Sequence, residues 1–168
     1  MTRFFEDYKI GDRVELGSHH FTREAIIAFG QTYDPQPFHV DEAAGRASLF
    51  GGLAASGWHI CGVWMRLMVD FRARDAAELA ARGVALAKLG PSPGVKSLKW
   101  PNPVLAGDTV RYSTTVTGLI DMKSRPNWGL WLSRNEAVNQ NGLPVLSFIG
   151  QVLAERRVPF VPPSGPEK

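Results

Sequence analysis

The chain has 168 residues, 44% hydrophobic and 21% charged, the composition of one globular domain with a single main core; disordered and fibrous classes are excluded. Nineteen basic residues against sixteen acidic ones leave a net charge of +3, and Lys and Arg are spread along the chain, so no nucleic-acid partner is expected and an anionic ligand is only weakly favoured. No stretch approaches the roughly 18 apolar residues of a membrane span, no apolar leader opens the chain and one cysteine cannot form an internal disulfide, which predicts a cytoplasmic protein without a membrane partner.

In chain order, Gly11-Asp12 predicts a turn before a strand at Val14 to Phe21. Thr22 stands as N-cap of a short helix, Arg23 to Gln31, whose Ile26, Ile27 and Phe29 can face a core. Asp34-Pro35-Gln36-Pro37 ends that helix, because proline disfavours helical conformation in the residue before it. Asp41 caps another short helix through Ala47, and Phe50-Gly51-Gly52 breaks the chain again. The longest helix is predicted over about Ser56 to Ala81. Its front half, Trp58 to Val69, is apolar on nearly every side and is expected to be wrapped by other structure. Its back half, with Arg72, Arg74, Asp75, Glu78 and then Arg82, is amphipathic and expected to meet solvent.

After Gly83 the period changes. Strands are predicted at Val84 to Leu89, Val95 to Trp100, Thr109 to Thr117, Trp128 to Val138 and Leu143 to Glu155. Alternation is clearest in Val110, Tyr112, Thr114 and Val116, and again in Trp128, Leu130 and Leu132. Asn141-Gly142 predicts a hairpin between the last two strands, and Gly107-Asp108 another turn. Strands joined this way make an antiparallel meander. With one long helix they predict an α+β domain in which a curved antiparallel β-sheet of five or six strands wraps around a long central α-helix. The domain is expected over residues 1–157, with residues 158–168, four of them proline, as a Pro-rich C-terminal tail.

Two features can carry chemistry. Asp34 and His39 lie five residues apart on a loop stiffened by Pro35 and Pro37, so carboxylate and imidazole can point at one small volume. Such a pair suits general acid–base work. The same residues also read as an Asp-Pro turn, a surface histidine and, at Asp41, a helix cap. The second feature is Gly51-Gly52-Leu53-Ala54-Ala55-Ser56-Gly57 running into the long helix. The first N–H groups of a helix lack internal partners and sit at its positive end, a natural site for a developing oxyanion; equally, small residues there ease tight packing. His19-His20 and His59-x-Cys61 have no recognised zinc spacing, and neighbouring strand residues face opposite sides, so no metal site is expected. Cys61 reads as an inert core thiol, and Trp58, Trp64, Met65 and Met68 as core before channel lining. No Gly-x-Ser-x-Gly elbow appears.

The order of features resembles the MaoC-like dehydratases, relatives of the (R)-specific enoyl-CoA hydratases. The resemblance rests on Asp34-Pro35-Gln36-Pro37-Phe38-His39-Val40-Asp41, on Leu49-Phe50-Gly51-Gly52-Leu53-Ala54-Ala55-Ser56-Gly57, and on Trp100-Pro101-Asn102-Pro103-Val104-Leu105-Ala106-Gly107-Asp108. The opening Phe5-Glu6-Asp7-Tyr8-Lys9-Ile10-Gly11-Asp12 fits as well. It implies a hot-dog fold and a homodimer or larger assembly of dimers. It also implies a lyase that reversibly adds water, syn, across a trans-2-enoyl thioester, with CoA as carrier and no cofactor. Asp34 and His39 match the catalytic pair, and Gly57 matches the residue whose backbone N–H binds the thioester oxygen. Asp34 is then the water-activating base and His39 its proton-transfer partner, with Phe38, Ser56 and Trp58 as pocket candidates. The family often has Asn at the position of Gln36, Ser-Gly at that of Thr32-Tyr33 and His-Gly at that of Ser56-Gly57, changes that alter the pocket wall. A thioesterase of the same fold commonly places an acid on the central helix, and Trp58 to Val69 has none. A non-catalytic acyl-thioester-binding module would not require Asp34 and His39 together.

Overall fold

The structure, a computed structural model, describes residues 3–162; residues 163–168 of the expected tail lie outside the described residues. Thr22 accepts a hydrogen bond from Ala25 N–H and starts α1 (Arg23–Tyr33). Asp41 does the same for Ala44 N–H at the start of α3 (Glu42–Ala47). Between them lies a single turn, α2 (Pro37–Val40), with proline at its first position. Ser56 caps α4 (Gly57–Ala81), whose 25 residues make it by far the longest helix.

The strands are β1 (Arg13–His20), β2 (Gly94–Lys99), β3 (Thr109–Asp121), β4 (Trp128–Val138) and β5 (Pro144–Glu155). All pairings are antiparallel and the order is β1-β3-β4-β5-β2. The hairpin at Asn141-Gly142 is held by Asn139 Oδ1, which accepts from the N–H groups of Asn141 and Leu143. Ile60 and Met68 of α4 pack with Leu16, Val110, Tyr112, Ala137, Leu146 and Phe148 of the sheet. Tyr112 anchors the contact by donating its hydroxyl to Ile60 O at 3.3 Å, and Trp64 meets Phe148 edge-on at 4.7 Å. No helix among the described residues is long and apolar enough to cross a membrane.

Two expectations require correction, and the face of β4 is settled by the fold. Val84 to Leu89 is not a strand: it makes one bridge, Leu89 with Ala154. Pro91 and Pro93 follow and lack the donors that a continuous ladder on that edge of β5 would need. In β4 the buried face is Gly129, Trp131, Ser133, Asn135 and Ala137, while Trp128, Leu130 and Leu132 lie half-buried on the opposite side. The segment after α4 covers part of that side, with Gly90 against the Trp128 ring. Finally, the front half of α4 is not enclosed. The sheet covers one flank only, and Trp58, Met65 and Val69 remain 61%, 51% and 50% exposed along the other.

Candidate active site

The loop between α1 and α2 owes its shape to close packing. Asp34 N–H closes α1 on Gly30 O, and His39 N–H bonds Gln36 O one turn later. A Cβ on Gly30 would stand 2.8 Å from His39 O, so only glycine lets the one-turn helix settle on α1. The segment before α4 fixes the other side. Ala54 N–H donates to Phe38 O, and Ala55 N–H to Val104 O.

These contacts bury the His39 ring at 6% exposure, so it is not a surface histidine. Its Nδ1 lies 2.7 Å from Ala54 O. A carbonyl can only accept, so Nδ1 carries the proton, and in the neutral ring Nε2 presents a lone pair. Nε2 stands 3.4 Å from Asp34 Oδ2. Two acceptors so close face each other comfortably when one proton, or one water donating a hydrogen to each, lies between them. The other carboxylate oxygen accepts from Gln36 Nε2 at 2.8 Å. Burial pushes the Asp34 pKa up, but hydrogen bonds from Gln36 and Ser56 and the nearby His39 outweigh it, and the net shift is downward.

Ser56 thus acts in two ways: its oxygen accepts Trp58 N–H at 3.2 Å at the start of α4, and its hydroxyl favours the charged form of Asp34. Beside it, Gly57 N–H has no acceptor among the described residues. The Trp100 indole lies over Gly57, where a Cβ would come within 2.6 Å of Cε2. Around these groups a cleft of about 540 Å³ is lined by Asp34, His39, Phe38, Ser56, Gly57 and Trp58. The structure thus brings all six predicted site residues together. Phe50, Trp100 and Asn102 also line it and were missed. Phe50 packs edge-on against Phe38 at 5.0 Å, and Trp100 meets Trp58 edge-on at 5.5 Å. The family motif containing Trp100-Pro101-Asn102 was the available signal.

His19, His20, His59 and Cys61 do not line this cleft. Burial pushes the Cys61 thiol up, consistent with an inert side chain. His59 stacks on Phe29 at 4.6 Å, and burial lowers its pKa to about 4. No group of three or more metal-ligating side chains gathers among the described residues.

Comparison with known proteins gives concordant findings. Residues 7–129 match the MaoC like domain family. The crystal structure of the MaoC-like dehydratase from Rhodospirillum rubrum is 37% identical, covers 92% of this chain and 98% of its own, and superposes with a TM-score of 0.76. The (R)-specific enoyl-CoA hydratase of Rhodospirillum rubrum is 29% identical over 127 residues, 71% of this chain and 74% of that protein. The mesaconyl-CoA hydratase of Cereibacter sphaeroides is 34% identical over 82 residues, 49% of this chain but only 22% of that relative's length. The α+β architecture, a curved five-stranded antiparallel sheet around α4, is the hot-dog fold.

Proposed function

The chain belongs to the MaoC-like domain family, and from that premise we propose that it is a hydro-lyase that reversibly hydrates a trans-2-enoyl thioester, CoA being the carrier. One observation carries the reading: the Nε2 lone pair of His39 and Oδ2 of Asp34 converge at 3.4 Å in the cleft that Gly57, the first residue of α4, also lines. A water bound there donates one hydrogen to each acceptor and is oriented for attack. Its oxygen bonds to C3 as Asp34 takes a proton, and the C2=C3 electron pair moves onto the thioester oxygen. Gly57 N–H stabilises that oxygen, a donor role worth about 2.7–4 kcal/mol where measured. The proton passes between Asp34 and His39 and is delivered to C2, so water is consumed and the protein regenerated. Both groups sit on one side of the cleft, which makes the addition syn. Phe38, Ser56 and Trp58 form the wall beside the reacting carbons.

The chain is proposed to act in the cytoplasm as a homodimer, or an assembly of dimers, with residues 1–157 as one domain. The exposed apolar line of Trp58, Met65 and Val69 on α4 supports a partner of the same chemistry.

The reaction is tested by following loss of conjugated-enoyl absorbance with a panel of short trans-2-enoyl-CoA esters. Asp34→Asn and His39→Ala, checked for folding, are each expected to lower kcat by about 10²–10⁴-fold. Release of free thiol without loss of the alkene would replace hydratase by thioesterase. Binding with neither reaction across the panel would leave a thioester-binding module.

A further inference from the structure

A second cavity, of about 310 Å³, lies farther along α4, beside Met68 to Asp75, and shares no lining residue with the cleft of Asp34 and His39. It is built around Arg72, which stands 15 positions beyond Gly57, or about 22 Å along the helix at 1.5 Å per residue. Met68, Phe71 and Arg72 of α4 form one wall, and Thr114, Val116 and Trp131 of the sheet the opposite one.

The polar groups here are unusual in what they lack. Arg72 Nε is buried and unpartnered, and no carboxylate among the described residues forms an ion pair with this guanidinium. The acids that line the cavity each have a partner: Asp75 pairs with Arg3 at 2.7 Å, Asp7 pairs with Arg157 at 2.5 Å, and Asp12 accepts from Lys9 N–H at 2.9 Å. Two side chains more than nine-tenths buried border the same space, and their polar atoms, Thr114 Oγ1 and Trp131 Nε1, are enclosed without a partner. Burial depresses the Arg72 pKa, opposed by the Tyr8 phenol rather than by a carboxylate. Buried cations and donors normally find partners, because leaving them unmade costs more than an ordinary hydrogen bond contributes. A guanidinium, an indole N–H and a hydroxyl above Val14, Met68 and Phe71 complement one ligand chemistry: a charged acceptor with a short apolar body.

We propose that this cavity is a second binding site, distinct from the catalytic cleft, for a small monocarboxylate. Its carboxylate meets Arg72 and Trp131 Nε1–H, and its alkyl part lies along Met68 and Phe71.

Hexanoate is the probe, titrated into the full chain while the indole N–H resonance of Trp131, assigned through Trp131→Phe, is followed by NMR. A saturable shift is expected, with at least a tenfold loss of affinity in Arg72→Met and no comparable shift with neutral 1-hexanol. Asp34→Asn should bind hexanoate as the parent does, and Arg72→Met should hydrate enoyl thioesters at the parental rate. If Arg72→Met fails to fold, the near-isosteric Thr114→Val serves instead and should weaken binding several-fold. No saturable shift, equal binding by hexanol, or binding lost in Asp34→Asn but kept in the Arg72 or Thr114 variant would overturn the proposal.

Discussion

Ser56 caps the central helix and also acts on the Asp34 carboxylate, so one side chain carries two consequences. Its oxygen caps Trp58 N–H and its hydroxyl favours the charged form of Asp34, so one side chain both starts α4 and lowers the Asp34 pKa. Removing it in Ser56→Ala should cost about 0.5–2 kcal/mol of stability, the usual worth of an N-cap. It should also raise the Asp34 pKa, since a donor to the charged form is lost. The sign follows from the proposed role of Asp34 as the base. It must be deprotonated, so the acid limb of the kcat/KM profile should move to higher pH in the variant. The stability linked to Asp34 runs the same way. Its folded pKa is depressed, so its contribution is present above the unfolded value and lost as pH falls through the folded one. Rate profiles and thermal melts across the acid range check both; an unmoved acid limb would separate Ser56 from the carboxylate.

At the scale of elements, the one-turn helix α2 decides whether the pair forms. Four residues cannot sustain a helix alone, and α2 persists because Gly30 lets α1 approach the His39 carbonyl. Gly30→Ala puts a methyl group 2.8 Å from that oxygen, and α2 must shift. Overpacking of this kind typically costs about 1–3 kcal/mol. Activity should fall at least tenfold while far-UV circular dichroism stays parental, because the long helix and sheet lie elsewhere. The exposed change Ala28→Gly on the same helix is the control for propensity alone.

That dependence also explains what was legible beforehand. Caps at Thr22 and Asp41 announce α1 and α3 because capping is local chemistry, and the long apolar run from Trp58 announces α4. Asp34 and His39 were readable as a pair because five residues on a proline-stiffened loop keep them together. The turn α2, too short for any period, was read as loop, and the burial of His39 depends on Ala54, fifteen residues away. Trp100 and Phe50 reach the cleft only through tertiary folding. The buried face of β4 is not legible in the sequence, because its polar Ser133 and Asn135 sit on the core side while the apolar Trp128, Leu130 and Leu132 do not.

The whole molecule leaves α4 half-covered, and this has consequences for assembly. Trp58, Met65 and Val69 are spaced seven and four residues apart, one line down the helix away from the sheet. Exposed apolar side chains scattered singly need no explanation, but an aligned set on the central helix reads as an interface. Both edge strands, β1 and β2, also present unpaired backbone on their outer sides. In the proposed dimer a second copy covers the helix line. Met65→Lys with Val69→Lys sets two charges in it, and burying an unpaired charge costs several kcal/mol, so the variant should run at one chain mass where the parent runs at two. Light scattering after size exclusion measures this directly. Trp58 belongs both to that line and to the cleft wall, where it meets Trp100. Separation of the subunits should therefore also reduce kcat/KM, by about tenfold if the loss of Trp58 support is worth 1.4 kcal/mol. A parent that is already monomeric and fully active would remove the dimer from the proposal, whereas a charged variant that stays dimeric would move the interface to the strand edges.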